Sequence, residues 1–201
     1  MSLLSYPSDD IKLPEDQMSF TPLKIAGAWL HTPTIFPDDR GDFHEVFKAS
    51  EIAEALGRTF PVLQVNQSVS KKGVVRGIHW TASDRGQAKY VSCPRGAIWD
   101  FVVDIRPDSP TFGKWDAVVL SQRNALAVLV SEGIGHGFLA LEDESVTRYL
   151  CTTEFDPANE KTINPFDPEI ALSFSEIGEG FGITEFTASS KDSAAGYLGL
   201  K

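Results

Sequence analysis

The sequence of 201 residues predicts an all-β domain, a double-sheet jelly roll or barrel with few short helices. Three observations carry that expectation. Short apolar segments that alternate with polar residues follow one another at intervals of roughly ten residues from position 61 onward. Gly, Pro, Ser, Asn and Asp separate these segments, as turns require. No alternation of strand and helix and no internal repeat is present, which argues against a parallel α/β sheet.

The first 17 residues, MSLLSYPSDDIKLPEDQ, are polar and acidic and carry two prolines. They read as a flexible acidic leader. The folded domain is expected over 18–201, with folding beginning near Met18 or Phe20. One segment before the C-terminal region reads as helical, KASEIAEALGRTF. Ser50 is the expected cap, Glu51 and Glu54 favour the first turn, and Ile52, Ala55 and Leu56 share a face. Gly57 ends it.

The strand candidates follow in order. PVLQVNQSV alternates, and AKYVSC runs into a Pro94-Arg95-Gly96 turn. In AIWDFVVDIR, Trp99, Phe101, Val103 and Ile105 point one way, while Ile98, Asp100, Val102 and Asp104 point the other. KWDAVVL, ALAVLV, GFLALE and SVTRYLCTT complete the series. After Pro165 the pattern becomes irregular.

Composition narrows the functional classes. Hydrophobic residues make up 42% and charged residues 23%, enough to bury a core. The net charge of −10 argues against nucleic acid or an anionic membrane as partner, since both need a basic footprint. A small anionic ligand needs only a local cation cluster and stays possible. No apolar run long enough to span a membrane is present, and no basic segment with an apolar core opens the chain. A soluble, cytoplasmic protein is the expectation. Two cysteines, Cys93 and Cys151, are too few for a disulfide scaffold or a four-thiolate zinc site, and both sit in strand-like runs as core fillers.

A jelly roll binds ligands at its mouth, so inward polar groups are the candidates for chemistry. Arg76 and His79 flank Gly77, where a bend can bring both to one rim. Lys89 is a cation within a strand run, where it faces either solvent or a ligand. His136 sits between two glycines, and Ser131-x-Gly133-x-x-His136 resembles the second half of a cupin signature, with serine in place of proline. The first half of a metal-binding cupin motif requires a His-x-His pair and a glutamate. Here the sequence has His79-Trp80-Thr81 and Gln87, so no metal site is expected. Nucleophile-elbow, phosphate-loop and dinucleotide motifs are absent.

Five segments together resemble one known family. DDRGDFHEVF, QVNQSVSKKGVVRGIHW, GQAKYVSCPRGAIWDFVVDIRPDSPTFGKWD, SEGIGHGFLALED and YLCTTEFDP are similar to the dTDP-4-dehydrorhamnose 3,5-epimerases, from about residue 20 to about 195. The resemblance implies a cupin-like jelly roll working without metal or cofactor, and a homodimer with strand exchange. It also implies a dTDP-4-keto-6-deoxy sugar as substrate.

It further implies roles for single residues. His79 matches the base and Asp192, in Ser189-Ser190-Lys191-Asp192, its carboxylate partner. Lys89 matches the cation beside the C4 oxygen, and Tyr149 the acid on the opposite face. Arg40, Glu45, Gln64, Asn66, Arg76, His136 and Lys191 match positions around the sugar and diphosphate. Phe155 stands where the family often stacks a tyrosine or tryptophan on the thymine. Relatives usually continue further past Asp192, which is consistent with a longer natural chain carrying, for instance, a reductase domain.

Three functions compete on these grounds. Epimerisation at C3 and C5 leads. A mono-epimerase of C3 or C5, as used for antibiotic sugars, needs the same base, lysine and tyrosine. A non-catalytic nucleotide-sugar-binding module does not require all three, so their joint presence argues against it.

Overall fold

The computed structural model describes residues 19–199. The leader expected over 1–17 lies outside them. β1 (Phe20–Pro22) and β2 (Ala28–His31) precede a projecting hairpin, β3 (Ile35–Asp38) and β4 (Gly41–His44). Helix α1 (Ala49–Leu56) follows, then β5 (Gln64–Ser70), β6 (Val75–Thr81), β7 (Lys89–Arg95) and β8 (Ala97–Asp104). β9 (Trp115–Ser121), β10 (Ala127–Val130), β11 (Ile134–Ala140), β12 (Ser145–Cys151) and β13 (Glu160–Thr162) complete the strands. Two short helices close the described chain, α2 (Phe174–Gly180) and α3 (Ser190–Ser193).

The strands form two main antiparallel sheets. One has six strands in the order β1-β2-β10-β7-β12-β5, and the other five in the order β13-β6-β11-β8-β9. Successive strands β7 and β8 belong to different sheets, and the chain crosses between them at Gly96 (φ 73°). The expected Pro94-Arg95-Gly96 turn is therefore shorter, because Pro94 and Arg95 are still in β7.

Each sheet is covered on its inner face and over part of its outer face, with β5 left open on the outside. Between them, Ile98 and Val102 of β8 meet Val91, Cys93, Val128 and Val130. On the outer face of the five-stranded sheet, Trp99, Phe101 and Val103 pack against Ile163, Ile170, Phe174 and Ile183 of the C-terminal region. On the outer face of the six-stranded sheet, Tyr90 and Leu129 pack against Ile52 and Phe60. The two-way division of β8 is as the alternation predicts. Burial on both faces explains why every residue of the strand, Asp100 and Asp104 included, is hidden from solvent.

Helix α1 starts two residues earlier than a cap at Ser50 would allow. Lys48 occupies the cap position without a side-chain hydrogen bond, and its ammonium lies 3.0 Å from Glu51 instead. Gly57 ends the helix in the left-handed region, as expected (φ 68°). The region after Pro165 is more ordered than its sequence pattern, since α2 and α3 are too short to show a helical period.

β6 carries the deviation that matters most for the site. A Cβ at Gly77 would sit 2.6 Å from the Cα of Gly137, so only glycine permits this approach of β6 to β11. The register shifts here: His79 opposes His136, whereas Arg76 opposes Phe138. Three residues of β6 therefore span two of β11. In a regular strand Arg76 and His79 would face opposite ways, and the extra residue lets both reach one cleft.

Candidate active site

A cleft of about 490 Å³ opens at one end of the two sheets. His79 projects from β6, Lys89 from β7, His136 from β11 and Tyr149 from β12. The segment from Thr187 to Asp192 forms one wall. Val75 and Thr187 exchange a 2.8 Å backbone hydrogen bond, which ties that wall to β6.

His79 and Asp192 are paired. The Nε2–H of His79 donates to Oδ1 of Asp192 at 2.7 Å, with the imidazole 27% and the carboxylate 5% exposed. Ser189 caps α3 by accepting from the Asp192 N–H at 3.1 Å. Burial alone would raise the Asp192 carboxyl. The His79 hydrogen bond and charge, with smaller help from Ser189 and Lys191, outweigh it and hold the group below the ordinary carboxylate range. Such a partner fixes the imidazole with its proton on Nε2 and leaves Nδ1 to act on a ligand.

Lys89 is 8% exposed. Burial pushes its ammonium below the ordinary lysine range, and Glu160, Cys151 and Asp100 oppose the shift. Burial also pushes the Tyr149 phenol up, so it keeps its proton at neutral pH. A cation in a poorly hydrated wall interacts strongly with any negative charge that develops beside it.

His136 stands within β11, a longer strand than the GFLALE segment, and its Nε2 lies 2.8 Å from Oδ2 of Asp100. The other carboxylate oxygen of Asp100 is buried without a protein partner. Asp100 did not emerge as a site residue from the sequence, although a carboxylate alternating with Ile98 and Val102 needs an internal partner. Gln87, Ser68 and Glu160 also line the cleft and carry no distinguishing local pattern.

Asn66, Arg76, Phe155 and Lys191 line the cleft with the four candidate catalytic side chains. Gln64 does not. It supports two that do, donating to Asn66 Oδ1 at 2.7 Å and accepting from the Phe155 N–H at 2.6 Å. Arg40 and Glu45 are also away from the cleft of their own chain. Arg40 pairs with Asp38 on the projecting hairpin, and Glu45 lies 3.6 Å from Lys48. Cys93 and Cys151 are buried free thiols, pushed up to about 12 and about 11 by burial. Among the described residues, no three His, Cys, Asp or Glu side chains converge as a metal site would require. No described helix is long and apolar enough to cross a membrane.

A jelly roll whose cleft combines a carboxylate-paired histidine, a buried lysine and a protonated phenol has the groups that an acid–base enzyme needs to remove and return a proton. The chain belongs to the dTDP-4-dehydrorhamnose 3,5-epimerase family, which it matches over residues 22–199. It is 46% identical over 164 residues to a dTDP-4-dehydrorhamnose 3,5-epimerase of Mycolicibacterium smegmatis, covering 78% of this chain and 82% of the relative. It is 45% identical over 153 residues to a dTDP-4-dehydro-6-deoxyglucose 3-epimerase of Streptomyces bikiniensis, covering 76% and 78%. Among solved structures, a Mycobacterium tuberculosis epimerase superposes with a TM-score of 0.84 at 42% identity, covering 90% of this chain and 88% of that one. A 3'-monoepimerase of Streptomyces bikiniensis in complex with dTDP-quinovose gives a TM-score of 0.82 at 42% identity, covering 88% and 86%.

Proposed function

We propose that this enzyme inverts both C3 and C5 of dTDP-4-keto-6-deoxy-glucose, giving dTDP-4-dehydro-L-rhamnose on the route to dTDP-L-rhamnose. The observation that carries proton removal beside the C4 ketone is the meeting of His79, Asp192, Lys89 and Tyr149 in one cleft, and the choice of double inversion rests on the match to the 3,5-epimerase family. C3 and C5 both flank the C4 ketone, so one set of groups can serve each in turn. Nδ1 of His79 takes the proton from carbon, and the electron pair of the broken C–H bond moves to the C4 oxygen. Lys89 stabilises the enolate oxygen. Tyr149 returns a proton from the opposite face, and the phenolate and imidazolium then re-equilibrate with water. No electron is gained or lost, so the step needs no redox partner.

Asn66, Arg76, His136 and Lys191 are positioned to hold the sugar and diphosphate, and Phe155 offers a face for the base. The mono-epimerase reading is favoured by one observation: a dTDP-4-dehydrorhamnose 3-epimerase of Streptomyces niveus is 47% identical over 157 residues, as similar as the double epimerases. Identifying the product of purified protein and dTDP-4-keto-6-deoxy-glucose by NMR tests the proposal. The L-rhamno product alone supports it, and a product inverted at a single carbon supports the second reading.

We infer that a second copy of the chain completes the site. The β3–β4 hairpin exposes Phe36 (55%) and Phe43 (65%), and the edge strand β5 exposes Val65 (57%) and Val69 (49%). An unpaired edge with apolar side chains and an exposed apolar arm are each suited to a homodimer. In that arrangement each arm carries Arg40 and Glu45 to the cleft of the other subunit.

A further inference from the structure

The two halves of the His79–Asp192 pair are joined through a third piece of chain, Ile163 and Asn164. Ile163 exchanges both backbone hydrogen bonds with Ile78, the residue before His79: Ile78 N–H to Ile163 O at 3.1 Å, and Ile163 N–H to Ile78 O at 3.0 Å. Asn164 grips the other half. Its Nδ2 donates to the carbonyl of Ser193, the residue after Asp192, at 2.8 Å. Its backbone N–H donates to the Gly196 carbonyl at 3.0 Å. The remaining side-chain atom, Oδ1, accepts from the Phe166 N–H at 2.9 Å, so the amide is locked in one orientation.

Helix α3 needs this external support. It has four residues, and so short a helix does not hold its place by its own hydrogen bonds. Ser189 secures its first turn from within. Asn164 is the side chain that secures its far end, with Asp167 next along, whose Oδ2 accepts from the Leu198 N–H at 2.7 Å. Asn164 is nearly buried, at 9% exposure, and does not line the cleft.

We propose that Asn164 is a positioning residue for the acid–base pair: it holds the Ser193 carbonyl while its neighbour is paired to Ile78, and so sets the separation of Asp192 from His79. The proposal rests on the reading of His79 as the base. It predicts that Asn164 acts through Asp192 rather than through general stability, because small displacements of paired catalytic groups are costly in rate.

The test is a four-member cycle on the full chain: wild type, Asn164→Ala, Asp192→Ala and the double variant. Asn164→Ala is expected to lower kcat about tenfold with KM within about twofold, and to cost no more than about twofold further in the Asp192→Ala background. An unchanged kcat, or an equal loss in both backgrounds, overturns the proposal. Ring-nitrogen NMR of histidine-labelled protein gives a second readout that needs no substrate. The wild-type imidazole should carry its proton on Nε2, and Asn164→Ala should show a mixture of tautomers; an unchanged tautomer overturns the proposal. If the wild type does not turn over dTDP-4-keto-6-deoxy-glucose, the epimerase reading falls while the tautomer measurement still decides the role of Asn164. Should Asn164→Ala fail to fold, Asn164→Leu keeps the branched shape and removes the amide without adding a charge, and the same outcomes apply.

Discussion

Nε2 of His79 and Oδ1 of Asp192 lie 2.7 Å apart, although 113 residues of chain separate them. The carboxylate accepts the hydrogen bond of the imidazole N–H and fixes the tautomer; in the proposed mechanism it also stabilises the imidazolium formed once a substrate proton has been taken. Asp192→Asn keeps the shape but can present a donor in place of the acceptor. It is expected to lower kcat by about 10³–10⁴, by analogy with loss of the carboxylate from a serine-protease triad. Steady-state kinetics with circular dichroism separates this from unfolding; a loss below about tenfold would contradict the pairing's catalytic role.

In the proposed mechanism Lys89 sets an alkaline limit on activity. Burial depresses its folded pKa, so the cation that holds the enolate is lost at a lower pH than an ordinary lysine would lose its charge. The expected kcat profile falls as pH rises, beginning below the usual lysine range. Lys89→Arg should flatten that limb even if its maximal rate is lower, since a guanidinium stays charged. Lys89→Met should cost on the order of 10²–10³ in kcat at neutral pH. A limb that stays in place in Lys89→Arg would assign it to another group.

The β3–β4 arm gives a test of subunit sharing. Arg40→Ala and His79→Ala proteins should each be poorly active alone. Mixed after co-expression, they should regain activity, because a heterodimer then has one cleft with its own His79 and an Arg40 from the other chain. Phe43→Asp should shift the protein to monomer on size-exclusion chromatography with light scattering. No regained activity in the mixture would place Arg40 outside the site or the site within one chain.

Asp104 is a buried carboxylate held by five donors, one of them the backbone N–H of Arg106 at 3.1 Å. It accepts from Arg106 Nε and Nη2 at 2.8 Å each, and from Ser109 and Thr111 hydroxyls at 2.5 Å each. Burial would raise its pKa, but Arg106, Ser109 and Thr111 together hold it far below the ordinary carboxylate range. The folded pKa is therefore lower than the unfolded one. The stabilisation is complete above an unfolded value of about 3.9 and is lost progressively as pH falls below it. Asp104→Ala should cost about 2–3 kcal/mol at neutral pH by denaturant titration, and should narrow the loss of stability between neutral pH and pH 3, roughly. An equal acid-induced loss in wild type and variant would contradict this.

The parts of the molecule legible in the sequence are those where one local pattern decides the structure. β8 shows its two faces through simple alternation, and Gly57 ends α1 because a left-handed residue is needed there. Arg76 and His79 could be placed on one rim because Gly77 between them permits a bulge. The capping of α1 was not legible: Ser50 is a good cap type, but the helix begins where Lys48 meets Glu51. Asp100 shows a local sign, a carboxylate alternating with apolar residues, but its partner His136 comes from another strand and spacing does not reveal that pairing. The Ser189-x-x-Asp192 spacing does carry a local signal for α3, since serine three residues ahead of an acidic residue marks a helix start. Asn164 and Asp167 each cap a local turn, but their bonds to chain some thirty residues away leave no such signal. Recognition of the family motifs supplied the pairing of His79 with Asp192, which alternation and spacing alone do not give.

Proton NMR of dTDP-4-keto-6-deoxy-glucose incubated with the enzyme in D₂O, with no reductase present, tests the central claim most directly. An enolate formed on each side of the C4 ketone and reprotonated from solvent-equilibrated groups must place deuterium at both C3 and C5, together with the L-rhamno configuration. Deuterium at both carbons is the predicted result. Deuterium at one carbon only, or none above a protein-free control, would contradict the double epimerisation.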